Sequence, residues 1–70
     1  MLLMDYRLVD TLNADQLEPG DLIGLADGIA KIISITPIKH GYALIFEDEY
    51  SEKDVIEIFD HEKFELYVLD

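Results

Sequence analysis

Apolar and polar residues alternate one for one at both ends of the chain. Met4, Tyr6 and Leu8 are separated by Asp5 and Arg7, and Phe64, Leu66 and Val68 by Glu65 and Tyr67. A period of two is the mark of a strand, whose successive side chains leave on opposite faces. Between these ends the runs 22–25, 29–38, 42–49 and 53–59 are rich in Ile, Val, Tyr and Phe, and each is bounded by turn residues. The pattern predicts six strands covering most of the chain. Its one helical signal is Asn13-Ala14-Asp15-Gln16, a cap-type residue with Gln three positions on. Pro19-Gly20 ends it after about one turn, so it is predicted as a connector and not as a packing helix.

The turn residues refine the picture. Pro19 sets its own φ and biases Glu18 toward extended geometry, while Gly20 supplies the positive φ of a type II turn, aiming the chain into the strand that follows Asp21. Asp27-Gly28 then predicts a tight hairpin between 22–25 and 29–35, because that dipeptide accepts the positive φ a twisted hairpin needs. The run Ile29-Ala30-Lys31-Ile32-Ile33-Ser34-Ile35 does not alternate cleanly. A bulge or strong bend is expected near Ile33-Ser34, turning the strand from one sheet into another as small barrels require. Lys39-His40-Gly41 and Glu49-Tyr50-Ser51-Glu52 mark two further hairpins.

The segments "LEPGDLIGLADGIAKIISI" (17–35) and "KHGYALI" (39–45) resemble the small SH3-like barrels typified by the N-terminal, KOW-like domain of elongation factor P. The likeness spans 17–46, and its Leu-x-Pro-Gly-Asp element is also similar to segments of small phage and bacterial proteins of unknown function. It implies an all-β, SH3-like or related barrel of five to six antiparallel strands with one short helical turn. In the factor, the loop matching Lys39-His40-Gly41 presents a lysine for modification and tRNA contact. Here Tyr42 stands where the second lysine or glycine of that pattern belongs, so the activity is not carried over. The phage likeness implies an accessory or host-modulating role.

Composition bounds what such a fold can do. Seventy residues leave room for one domain over 1–70 and one small core. Half of them are apolar, so the chain is expected to fold despite its charge. Small cores are usually supplemented by disulfides, metals or association, and no cysteine is present, which leaves self-association. The start Met1-Leu2-Leu3-Met4 lacks a basic flank and a long apolar run, so neither a signal peptide nor a membrane span is expected. The expectation is a soluble, cytoplasmic protein.

Sixteen acidic residues against five basic ones give a net charge of −11. Phosphate binding needs a basic stripe, so direct nucleic-acid binding is not expected. The acids concentrate at Glu47, Asp48, Glu49, Glu52, Asp54 and Glu57, with a trail through Asp60, Glu62, Glu65 and Asp70. They read as a solvated face that blunts sheet edges, as a surface for a basic partner or a nucleic-acid mimic, or as a site for calcium or magnesium. The last lacks the Asp-x-Asp-x-Asp-Gly order and terminal Glu of a dedicated loop, so no metal or cofactor is assigned. Ser34 and Ser51 have no base beside them, and His40 and His61 read as exposed turn residues without zinc spacing. No phosphate-cradling glycine loop is present, and no enzyme activity is expected.

The apolar residues carry more. Ile23, Ile29, Ile32, Ile33, Ile35, Ile38, Leu44, Ile45, Phe46, Ile56, Ile58 and Phe59 are too many for one barrel interior, so some face outward and imply a covered patch. Tyr6, Tyr42, Tyr50 and Tyr67 offer a flat apolar body with a hydroxyl, suited to an interface. The sequence therefore reads as a non-enzymatic interaction or assembly module, expected to homo-oligomerise or dock on another protein through Tyr42, Phe46 and Tyr50. The alternative is an acidic decoy that blocks a basic nucleic-acid-binding protein through Glu47, Asp48, Glu49, Glu52, Asp54 and Glu57.

Overall fold

The computed structural model describes residues 5–69. Residues 1–4 and Asp70, and with them Met4 of the first predicted strand, lie outside that range. Six strands follow in order: β1 (Tyr6–Asn13), β2 (Leu22–Leu25), β3 (Gly28–Ile38), β4 (Gly41–Glu47), β5 (Lys53–Phe59) and β6 (Lys63–Leu69). A single 3₁₀ turn, Ala14–Gln16, separates β1 from β2. All strands belong to one antiparallel sheet of order β1-β6-β2-β3-β4-β5. The all-β class with six antiparallel strands and one short helical turn is as expected. The ladder order has two ends, β1 and β5, and among the described residues no ladder joins them.

The irregularity in the isoleucine run is a bulge. Ile32 pairs with Phe46 and Ser34 with Ile45, leaving Ile33 as the extra residue. Contrary to expectation it does not carry β3 into a second sheet, because β3 stays paired with β4 on both sides of the bulge. What it does is restore the alternation, so that Ile32 and Ile35, three apart in sequence, face the same side. A second bulge at Val9 acts likewise between β1 and β6.

Register sorts the side chains of β3, β4 and β5 into rows, since residues directly opposite one another share a face. One face carries Ile32-Phe46-Asp54, Ile35-Leu44-Ile56 and Pro37-Tyr42-Ile58. This is the core face, where Ile23, Ile32 and Leu44 are fully buried beside Ala30 and Ile58. Each of those three large side chains contributes about 1.5–3 kcal/mol by leaving water. The outer face carries Ile38-Gly41-Phe59, Thr36-Ala43-Glu57, Ser34-Ile45-Val55 and Lys31-Glu47-Lys53. Gly41 is obligatory for space: a Cβ there would collide with the carbonyl oxygen of Ile58.

The end of the core is closed by the segment between β1 and β2. Expected to be a connector only, it instead inserts Ala14 and Leu17, both buried, against Ile23, Ile32 and Leu44. The turn is held by Asn13 N–H donating to Gln16 Oε1 (2.8 Å) and tied to the β5–β6 turn by Ala14 N–H donating to Glu62 O (3.0 Å). The Pro-Gly-Asp arch then locks it. Gly20 has φ +96°, Asp21 N–H donates to Glu18 O (3.1 Å), and Glu18 N–H donates to Asp21 Oδ2 (2.8 Å). The arch is pinned to β3 through Gly20 N–H to Ile32 O (2.7 Å) and Ile32 N–H to Asp21 O (2.9 Å).

Two hairpin details differ from the sequence reading. The β2–β3 loop is Ala26-Asp27, with Gly28 already paired to Leu25, so the positive φ (+132°) falls at the first residue of β3. That φ is what favours glycine there, and the mobile end of the Glu49 side chain comes 2.7 Å from where a Cβ would stand. In the β3–β4 hairpin the left-handed residue is His40 (φ +69°), and Gly41 serves the close approach of β5.

Candidate interaction surface

The loop 48–52 between β4 and β5 is organised by one side chain. Asp48 Oδ1 accepts from the N–H groups of Tyr50 (2.8 Å) and Glu52 (3.0 Å). The backbone adds Asp48 N–H to Glu52 O (2.8 Å) and Ser51 N–H to Asp48 O (3.1 Å), with Ser51 at φ +64°. The loop is thus a fixed platform. Glu49 reaches from it to β3, where Oε1 accepts a long hydrogen bond from Ile29 N–H (3.4 Å).

This geometry gathers most of the candidate residues named from sequence. Phe46, Asp48, Glu49, Tyr50, Glu52 and Asp54 surround a hollow of about 180 Å³ whose far wall is the β2–β3 turn with Asp27. Tyr50 is 85% exposed, while Phe46 is half-buried in the Ile32-Asp54 row. Glu47 lies between Lys31 and Lys53 on the outer face and lines a second hollow of about 400 Å³ with Leu22 and Leu69. Two candidates stand apart. Tyr42 packs against the core in the row of Ile58, and Glu57 lies on the outer face beside Ala43. Of the other tyrosines, Tyr67 covers Gly24, with its ring 3.1 Å from a Cβ placed there.

Acidic side chains also dress the edges of the sheet. Asp54 Oδ1 accepts from Val55 N–H (2.8 Å) and Glu62 Oε1 from Phe59 N–H (2.7 Å) along β5, and Asp10 Oδ1 from Thr11 N–H (2.7 Å) along β1. The amides of Val55, Phe59 and Thr11 are thereby occupied by carboxylates, which partly blunts these edges. Among the described residues no side-chain nitrogen or oxygen is buried without a partner, and no group of three or more His, Cys, Asp or Glu is arranged to hold a metal ion. Tyr67 donates to Glu65 Oε1 (3.0 Å), which raises its phenol pKa, and desolvation and the carboxylate's charge act in the same direction.

The residues that sequence reasoning did not place in a site lie on the outer face. Ile33, Ile45, Val55 and Phe59 are all exposed, Val55 and Phe59 by more than half. Val55 escaped notice altogether, although it has the same parity as Glu57 and Phe59 and is opposite to Ile56 and Ile58. That alternation is the signal that could have found it.

Fold and surface together define a small acidic protein built on one antiparallel sheet, with its core on one face and an apolar strip on the other. The chain matches no family model, and no curated protein or solved structure matches it. Among the described residues no helix is long and apolar enough to cross a membrane.

Proposed function

We propose that this protein is a non-enzymatic interaction or assembly module that works by self-association. The observation that carries the reading is the outer face of β3, β4 and β5, where Ile33, Ile45 and Val55 form an exposed apolar strip and Ile38 and Phe59 a second apolar row. A partner that covers them adds the burial a core of this size lacks. The proposal includes a cytoplasmic location, in keeping with a chain without cysteine. Through the Leu-x-Pro-Gly-Asp segment, it includes kinship with SH3-like barrels and a phage accessory or host-modulating role.

Light-scattering mass across protein and salt concentrations tests this directly. An apolar contact persists or strengthens with salt, because screening relieves repulsion between acidic copies. A monomer at every concentration overturns the reading. The clustering of Asp27, Asp48, Glu49, Glu52 and Asp54 around one hollow favours a second reading, an acidic decoy for a basic protein. A decoy's affinity for its target collapses as salt rises.

A further inference from the structure

Strand β5 has a ladder only on its β4 side among the described residues, so its other side is an edge seven residues long. Val55 and Phe59, four apart and hence of one parity, are the residues whose N–H groups turn to the Asp54 and Glu62 carboxylates. Residues 53, 55, 57 and 59 are therefore the ones that direct backbone N–H and C=O outward; at Phe59 both groups are taken by Glu62, so an added antiparallel strand bonds to Lys53, Val55 and Glu57. Their side chains, Lys53, Val55, Glu57 and Phe59, all lie on the outer face.

Charge then selects an occupant and a register. A two-fold axis at Asp54 or Glu57 sets an acid against its own copy, and an axis at Ile56 sets Lys53 against Phe59. An axis at Val55 sets Lys53 against Glu57 of the second copy, twice by symmetry, with Val55 against Val55 between them. In that register Lys53 lies between Glu47 of its own sheet and the new Glu57, and the Ile45-Val55 row runs on into its copy. We infer that a second copy of this chain pairs edge to edge along β5 about Val55, extending the sheet from six strands to twelve. The carbonyl of the opposing Val55 replaces the Asp54 carboxylate on the Val55 amide. This inference rests on the self-association proposed above and specifies its site.

Sedimentation equilibrium of the whole chain and of K53E, E57K and K53E/E57K tests it, with circular dichroism confirming that the exposed substitutions leave the fold intact. Each single reversal turns two attractive pairs repulsive and weakens the dimer by roughly tenfold, and the double reversal returns it to within about threefold. Net charge alone predicts otherwise, since E57K makes the chain less acidic and would then strengthen association. Slower exchange of the Val55 and Glu57 amides at high protein concentration is the second expected result. If the chain associates but the reversals leave its affinity unchanged, or the double variant fails to recover, the β5 register is wrong while self-association stands. A monomer throughout overturns both.

Discussion

In the arch at residues 17–21, Asp21 Oδ2 accepts from Glu18 N–H, and in the loop at 48–52, Asp48 Oδ1 accepts from Tyr50 and Glu52 N–H. Both segments carry Glu and Asp and both contain a residue in the left-handed region, Gly20 and Ser51. One carboxylate closing one turn is the same local device in each. The outcomes differ because the arch also bonds to both the N–H and the C=O of Ile32 in β3, and so holds Leu17 in the core. The 48–52 loop bonds mostly to itself, and its apex residue Tyr50 stands in solvent. A carboxylate-closed turn is a structural plug or a presenting platform according to what its backbone reaches beyond the turn.

Substitutions sharpen that contrast. The largest effect is expected at Leu17: Leu17→Ala empties a core position and costs about 2–4 kcal/mol in urea unfolding. A loss near zero would mean that the arch is not a plug. Asp48→Ala strips two loop amides of their acceptor and costs about 1–2 kcal/mol. Asp21→Ala costs less, because the backbone bonds to Ile32 hold the arch without it. The reverse order would overturn the distinction. Gly20→Ala meets nothing within 4 Å of the new Cβ, so its cost is the strain of φ +96° alone, about 1 kcal/mol. Tyr50→Ala changes stability by less than about 0.5 kcal/mol, as expected of a solvent-exposed apex.

A third carboxylate contact gives the smallest signal. The bond from Tyr67 to Glu65 involves no turn, and it raises the phenol pKa above that of the unfolded chain. The stability it adds is complete below the unfolded value, about 10, and is lost as pH climbs through the folded one. Glu65→Ala, which removes the acceptor, lowers the Tyr67 titration seen by ultraviolet absorbance. An unchanged titration would show that the hydrogen bond is not the cause.

Much of this architecture was legible because strands and tight turns are local. Period-two alternation located the first and last strands and turn-bounded β-rich runs the four between; β5 was exact, and Gly20, the Ile33 bulge and the hairpin at 39–40 were found from residues within a few positions of each feature. The acidic residues were legible as a cluster for the same reason, being neighbours in sequence. Whatever depended on a distant segment was missed. Ala14 and Leu17 have the apolar spacing of one short turn, and nothing nearby shows that they seal a core made by β2, β3, β4 and β5. Gly28 looked like a turn residue, but Glu49, twenty-one positions away, is what lies against it.

The sequence by itself determined the class, the number of strands and the places where the chain turns, since backbone preference and side-chain parity act over a few residues. Only the tertiary structure decided which side of each strand is covered. Tyr42, Phe46 and Tyr50 looked alike as interface candidates, yet one packs on the core, one walls a hollow and one stands in water. Burial is a property of what packs opposite, and cross-strand register, set by residues far apart in the chain, chooses that neighbour.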